Sequence, residues 1–311
     1  MKNKIKIFLT GHRGLVGSSI FKLLKKKGYQ KIITIEKKEL DLRNQKQTLD
    51  FFKKIRPHAV INAAAKVGGR NANEVNAANF IYDNIMIQTN VIQSCLVTKV
   101  KNLVFLGSSC VYPKFSIQPI KENYLLGGKL EKTNEAMAVA KISGIKMCEY
   151  YNQQFNKQYK CLMPSNIYGP NDNYNLKTSH FFPALIKKIY LAKKKKLKKV
   201  EIWGTGKPKR ELLFVDDLAN ACLFFLFKKT KYSLINIGSG REKSITKYAE
   251  IISKKLNYKC KFIYNKKYPD GTPRKLLNIN LSKKLGWKPK INLSKGLDIT
   301  LEEFFKKNGR I

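Results

Sequence analysis

The sequence predicts an α/β protein in which a Rossmann-type, doubly wound parallel sheet is followed by a smaller C-terminal substrate-binding domain. Over the first 170 residues, apolar runs of strand length alternate with amphipathic stretches. Beyond Tyr168 the elements shorten, and Pro, Gly, Asn and Lys become denser. Repeated strand–helix units place a parallel sheet between two layers of helices. We therefore assign residues 1–168 to the Rossmann domain and 169–311 mainly to the second domain, with a segment near 211–237 as the candidate to return to the first.

The first element, KIKIFLT at residues 4–10, is an apolar run that ends at a glycine, which indicates a buried parallel strand. Similar runs predict further strands at residues 31–36, 59–64, 102–107 and 159–166. Between them, apolar residues recur at helical spacing, which predicts helices at residues 16–27, 45–55, 74–97 and 135–155. This alternation is the pattern of successive βαβ units.

The composition excludes several classes of protein. Of the 311 residues, 43 % are apolar and 11 % aromatic, which is enough for a packed core and too much for a disordered chain. No apolar run approaches the roughly 18 residues that span a bilayer, and the apolar part of the N-terminal stretch is too short for a signal peptide. The six cysteines show no metal-ligand spacing, so we expect free thiols and no metal. Because no run is long enough to span a bilayer or to form a signal peptide, we expect no membrane partner and a cytoplasmic location.

The formal net charge of +41 raises a polyanion-binding protein as an alternative. Only 8 of the 62 basic residues are arginine, the residue that most often recognises bases. The densest basic run, at residues 193–199, has no interleaved aromatic residue. We therefore interpret the excess as solvated lysine surface and do not expect nucleic acid as a partner.

A glycine motif follows the first predicted strand. Gly11, Gly14 and Gly17 form G-x-x-G-x-x-G between this strand and the first predicted helix, which is the position of a dinucleotide-binding loop. Glycines let the backbone approach a pyrophosphate, and the free N–H groups of the helix N-terminus bind it. The motif therefore predicts a nicotinamide dinucleotide cofactor.

The residues near the end of the second predicted strand bear on the choice of cofactor. Arg13 and Lys37 could converge on the 2′-phosphate of NADP, whereas Glu36 is the type of residue that binds the ribose 2′-hydroxyl of NAD. We favour NADP because two cations stand against one carboxylate.

Polar residues follow the fourth predicted strand, and strand carboxyl ends face the ligand crevice in such sheets. Ser108, Ser109 and Cys110 stand there within LGSSCVYPK, and TNEAMAVAKISG opens the helix that follows. Other motifs are GHRGLVG, NAAAKVGG, MPSNIYGPNDN, SHFFPAL, WGTGKPKRELLFVDD and PDGTPRKLL. Through these motifs the chain resembles, almost from end to end, the extended short-chain dehydrogenase/reductases and, within them, the GDP-L-fucose synthases.

The resemblance implies a reaction in two parts. GDP-4-keto-6-deoxy-D-mannose is epimerised at the two carbons beside its ketone, and NADPH then reduces the ketone. By resemblance, Cys110 and His180 are the acid/base pair of the epimerisation. Thiol and imidazole, with reference pKa values of about 8.5 and 6.5, are usable proton carriers near neutrality.

The resemblance implies a Ser–Tyr–Lys set for the reduction, which Ser108 and Lys141 match. The position of the tyrosine is Met137, whose thioether has no proton to donate. Three alternatives stay open: reduction is impaired, water or Ser109 carries the proton, or the position was altered.

The resemblance also assigns ligand contacts. The substrate contacts are Lys188 and Arg210 for the phosphates, Trp203, and Asp270 for ribose hydroxyls or guanine N–H groups. The cofactor contacts are Gly11, His12, Arg13, Gly14, Leu15, Val16, Gly17, Lys37, Asp41, Leu42, Ala64, Leu106, Gly107, Ser108, Ser109, Lys141, Pro164, Asn166, Ile167 and His180.

Family members commonly dimerise through helices near residues 74–97 and 135–155, so we expect a homodimer. Two other functions stay open: a weakened or inactive homologue that binds NADP or a nucleotide sugar, and an epimerase/reductase of another nucleotide sugar.

Overall fold

A six-stranded parallel sheet is the largest sheet among the described residues, in the computed structural model that describes residues 2–309 except for the side chains of Lys2, Arg70 and Asn71. Its strand order is β2-β1-β3-β4-β5-β9. The strands are β1 (Ile7–Thr10), β2 (Ile32–Ile33), β3 (Ala59–Asn62), β4 (Asn102–Leu106), β5 (Gln158–Pro164) and β9 (Leu234–Ile237). Strand order reverses beside β1, and a crevice at the carboxyl ends of the strands is the usual ligand site of such sheets.

Helices cover both faces of the sheet. They are α1 (Leu15–Lys26), α2 (Gln45–Ile55), α3 (Arg70–Val75), α4 (Ala77–Val97), α5 (Glu135–Phe155) and α7 (Val215–Phe227). Side chains alternate between the faces of β1: Phe8 packs with Phe52 of α2 and Val91 of α4, whereas Leu9 packs with Ile20 of α1 and Phe225 of α7. This arrangement confirms the predicted Rossmann-type fold.

The C-terminal half adds two smaller sheets and a third core. One sheet has the order β10-β8-β12, with β6 paired to β8, and the other consists of β7 and β11. These strands are β6 (Asn166–Tyr168), β7 (Lys199–Trp203), β8 (Lys209–Phe214), β10 (Glu242–Ser244), β11 (Lys261–Asn265) and β12 (Arg274–Lys275). The remaining helices are α6 (Phe181–Lys194), α8 (Ile245–Lys255), α9 (Asn280–Lys284) and α10 (Leu293–Asn308). None of the helices in the described part of the chain could cross a membrane.

Three predicted elements differ from those observed. The strand predicted at 31–36 is only two residues long, because the chain turns at Glu36, whose carbonyl accepts the N–H of Leu40. The helix predicted at 74–97 is divided at Asn76, where φ is −117° and ψ is 31°. The strand predicted at 159–166 ends at Pro164, and the chain then enters the second sheet as β6. The helices predicted at 45–55 and 135–155 are confirmed.

Candidate active site

One cavity of about 1340 Å³ is lined by all of the residues that the sequence analysis names as catalytic residues or as contacts of the cofactor or substrate. Its floor is formed by residues at the carboxyl ends of the central strands, and its other wall by the loops and strands of the C-terminal half. The sequence motifs, which lie far apart in the chain, are therefore brought to one place.

The glycine loop is shaped by two close backbone approaches. Gly11 has a φ of +68°, and a Cβ atom on Gly17 would lie 2.0 Å from the carbonyl oxygen of Gly11. Gly14 precedes α1, and no side chain caps this helix N-terminus. The loop thus keeps N–H groups and the positive end of the helix dipole open towards the cavity, which fits the pyrophosphate of a dinucleotide.

Within the loop, Arg13 forms an ion pair with Glu36. The Lys38 Nζ lies 3.8 Å from the other carboxylate oxygen of Glu36, and Lys37 lines the same corner. The arginine side chain is 73 % exposed, so a phosphate could reach it from solvent. Arg13 was expected on the 2′-phosphate. In the structure its guanidinium binds Glu36, and two cations, Arg13 and Lys38, lie against this one carboxylate.

A charged network beside this corner was missed by sequence reasoning. Arg43 donates to Asp41 and, at 2.8 Å, to Asp83, which also accepts from the Lys66 Nζ at 2.9 Å. The hydrogen bond from Arg43 holds the pKa of Asp41 below its usual range. Asp41 therefore faces the cavity as an ionised group. In the sequence, the only sign of this network is that Asp41 stands two residues before Arg43.

The reductase side of the site lies on α5. The Lys141 Nζ donates a 2.8 Å hydrogen bond to the Leu106 carbonyl oxygen, at the end of β4, and lies 4.7 Å from the centroid of the Phe105 ring. Burial lowers the pKa of Lys141 to about 8. The lysine therefore carries its charge near neutrality and loses it in mildly alkaline solution.

Met137 lies one helical turn before Lys141 and is 7 % exposed. Its Sδ accepts a hydrogen bond from the Asn84 Nδ2 at 3.2 Å, and it packs against Phe80 and Cys110. It lines the cavity, so a thioether, which has no proton to donate, faces the site one helical turn from Lys141.

Ser108 caps a short 3₁₀ turn, Ser109–Val111, and its Oγ accepts the Cys110 N–H at 3.3 Å. This turn holds the Cys110 side chain at the cavity wall, where the residue is 8 % exposed. His180 precedes α6, and its side chain makes no cap hydrogen bond there, so the imidazole stays available to the cavity.

Lys275, on β12, is a cationic neighbour of both members of the predicted acid/base pair. The protein surrounding His180 and, to a smaller extent, Lys275 lower the pKa of the imidazole. Burial lowers the pKa of Lys275 itself, while Cys110 and Glu131 partly offset this. Cys110 and His180 thus share one cationic neighbour at one end of the cavity. Sequence reasoning missed Lys275, although its motif PDGTPRKLL was recognised.

The predicted substrate residues gather at the same end. The Lys188 Nζ donates to the Glu201 carbonyl oxygen at 3.1 Å and lies 4.6 Å from the Trp203 ring centroid. Burial lowers the pKa of Arg210, whose guanidinium donates to the Lys209 carbonyl oxygen at 2.8 Å. Two buried or half-buried cations are suited to a diphosphate.

Asp270 is engaged by the protein itself. Its carboxylate accepts from the Thr205 N–H at 3.0 Å and from the Thr205 Oγ1 at 2.6 Å. These bonds fix the loop that precedes β12 against the turn that follows β7. Among the described residues, no cluster of His, Cys, Asp or Glu could hold a metal ion.

Comparison with known proteins agrees with this geometry. The sequence model of the NAD dependent epimerase/dehydratase family matches residues 7–238. GDP-L-fucose synthase 1 of Arabidopsis thaliana is 46 % identical over 97 % of this chain and 93 % of its own length. GDP-L-fucose synthase of Escherichia coli is 41 % identical over 99 % of both chains. A solved structure, the GDP-mannoheptose C4 reductase of Campylobacter jejuni with NADP bound, has a TM-score of 0.87 and 35 % identity, over 98 % of this chain and 99 % of its own.

Proposed function

The chain belongs to the NAD dependent epimerase/dehydratase family, and we propose that it makes GDP-L-fucose from GDP-4-keto-6-deoxy-D-mannose with NADPH. One observation carries the proposal: Cys110, His180 and Lys275 meet in a cavity whose other end is the glycine loop. A pair of proton carriers in the same cavity as a dinucleotide-binding loop provides for both epimerisation and reduction.

In the epimerisation, one of Cys110 and His180 removes the proton from a carbon beside the ketone. The electron pair of the broken C–H bond moves towards the ketone oxygen, and the other residue returns a proton to the opposite face. The positive charge of Lys275 favours the negative charge that develops on the substrate. Because its pKa is lowered, the imidazole of His180 favours its neutral form, which can accept the substrate's proton, and once protonated it is a strong donor.

The glycine loop and Lys141 would hold NADPH, which supplies a hydride to the ketone carbon when bound. Ser108 can donate a hydrogen bond to the ketone oxygen, and the Lys141 charge stabilises the developing alkoxide. Met137 cannot donate the proton that this oxygen needs, so we propose that water delivers it and that reduction is the slow half of the reaction.

Deuterium exchange tests the function without any contribution from reduction. The chain is incubated with GDP-4-keto-6-deoxy-D-mannose in deuterated water without NADPH, and the sugar is examined by NMR. We expect deuterium at both carbons beside the ketone, and its loss in Cys110→Ala and His180→Gln. An unmodified chain that exchanges no proton would contradict the proposal, and so would undiminished exchange in Cys110→Ala.

A second candidate is the epimerase/reductase of another GDP-sugar. It is favoured by the similarity to the GDP-mannoheptose C4 reductase over nearly the whole of both chains. Parallel exchange assays with the 4-keto forms of a 6-deoxyhexose and a heptose would separate the two, since the preferred sugar exchanges faster at equal concentration.

We further propose that the protein is a cytoplasmic homodimer. All six cysteines are free, which suits a reducing compartment. Helices α4 and α5 leave Tyr82, Val139 and Tyr150 exposed, and paired apolar helices of this kind form subunit interfaces. Sedimentation of the unmodified chain and of Val139→Glu/Tyr150→Glu tests this, with a dimer expected for the first and a monomer for the second.

A further inference from the structure

Two exposed aromatic rings are stacked at the substrate end of the cavity. The ring centroids of Trp203 and Tyr268 lie 4.2 Å apart, and the ring planes are inclined by 15°. These residues are 41 % and 43 % exposed, and both line the cavity. An open pair of large rings beside cationic side chains is suited to a ligand that is itself flat and attached to an anion.

The pair is held in place by the strands that carry it. The Trp203 Nε1 donates to the Glu201 Oε1 at 2.9 Å, and the Glu201 Oε2 accepts from the Asn265 Nδ2 at 3.0 Å. Asn265 is paired with Trp203 across β7 and β11, and Tyr268 follows β11 in a turn closed by its N–H to the Asn265 carbonyl oxygen. The rings are therefore preorganised, which reduces the entropy lost when a ligand binds.

Both faces of the Trp203 ring are covered. Tyr268 stacks on one face, and the Lys188 Nζ lies 4.6 Å from the ring centroid. Because a stacked ring leaves no room for an ammonium group on its own side, Lys188 lies over the opposite face. Among the described residues no other ring and no cation lies against Tyr268, so Tyr268 is the ring of the pair that can offer a face to a ligand.

We propose that Tyr268 is the platform on which the base of the nucleotide sugar stacks, with Trp203 as the supporting ring beneath it. The proposal rests on the proposed function, which supplies a nucleoside diphosphate as the ligand. Lys188 and Arg210 line the same end of the cavity and can meet the diphosphate. Every base has an aromatic face, so Tyr268 contributes affinity for the nucleotide and does not select guanine.

Calorimetric titration with GDP, in saturating NADP so that the cofactor site is filled, tests the platform. Tyr268→Ala should weaken GDP binding by at least roughly fivefold, whereas Tyr268→Phe keeps the ring and stays within about twofold. Tyr232→Ala is the matched control, because Tyr232 is 39 % exposed and does not line the cavity. Inorganic pyrophosphate, which has no base, should bind Tyr268→Ala and the unmodified chain equally, and circular dichroism confirms that each variant is folded.

Three results would overturn the platform. If Tyr268→Ala and the unmodified chain bind GDP with equal affinity, Tyr268 is not the platform, and the proposed function is unaffected. Tighter binding by Tyr268→Ala shows that the ring occupies the space of the base. An unmodified chain that binds no GDP removes both the platform and the proposed function.

Discussion

The two ends of the cavity are built by different means. The cofactor end is mostly backbone: Gly11, Gly14 and Gly17 lie within seven residues of one another, and the backbone of one loop and one helix shapes the site. The substrate end is made of side chains from α6, β7, β8 and the loop before β12, which are far apart in the chain. A change at the first end therefore disturbs the fold locally, whereas a change at the second alters one contact at a time.

The largest effect is expected where the backbone packs most closely. In Gly17→Ala the new Cβ would lie 2.0 Å from the Gly11 carbonyl oxygen, so the loop and α1 must separate. We expect NADPH affinity to fall by at least roughly a hundredfold, since both the close approach and the helix N-terminus are lost. Fluorescence titration with NADPH measures the loss.

Gly14→Ala sharpens this comparison. Its Cβ would meet only the Gly11 carbonyl oxygen, at an ordinary 3.5 Å, so the ligand-free melting temperature should match that of the unmodified chain. Gly17→Ala should melt earlier. If both variants melt alike and Gly17→Ala still binds NADPH, the close packing of Gly17 against the Gly11 backbone is not what forms the cofactor site.

The next effect concerns Met137, where the two ends meet. Met137→Tyr supplies a hydroxyl one helical turn from Lys141 and should raise the rate of NADPH oxidation with the keto-sugar by at least roughly tenfold, because a positioned general acid contributes about 10²–10⁴-fold. Met137→Phe supplies the ring without the proton and should show no gain. Equal rates for the unmodified chain and Met137→Tyr would mean that the proton donor already exists elsewhere.

The contrast between the two ends also decides what could be predicted from the sequence. The glycine loop and the helix at 135–155 depend on local spacing, so their residues were identified. The contact between Asn84 and Met137 joins residues 53 positions apart, and periodicity carries no information about such pairs. The same holds for Lys275 beside His180 and for Tyr268 on Trp203, because neither the register of β12 nor the pairing of β7 with β11 follows from local pattern.

The pH dependence of reduction tests the charge of Lys141. Burial lowers its pKa from 10.5 to about 8, so the lysine is protonated below pH 8 and loses its charge as the pH rises through that value. Reduction should therefore decline above pH 8, by about tenfold per unit once the neutral form predominates. The rate of NADPH oxidation between pH 6 and 10 measures this.

Lys141→Arg is the control for this profile. A guanidinium stays charged throughout the range, so its rate, whatever its absolute value, should show no decline near pH 8. A decline at the same pH in both proteins would assign the titration to another group and would separate Lys141 from the electrostatics of the reaction.

The smallest effect is expected at the exposed corner, where Arg13 and Lys38 surround Glu36. Arg13 is 73 % exposed, and solvent screens charge interactions at such a site. Arg13→Ala should therefore weaken NADPH binding only about two- to fivefold, leaving NADH binding unchanged because NADH carries no 2′-phosphate. The opposite change, Glu36→Gln, removes the one carboxylate that competes for Arg13 and should tighten NADPH binding by a similar factor.

Titration of each variant with both cofactors at low and high salt checks the assignment, since the NADPH effect should shrink with salt. A loss of NADH affinity in Arg13→Ala equal to the loss for NADPH would show that Arg13 supports the loop and does not distinguish the cofactors.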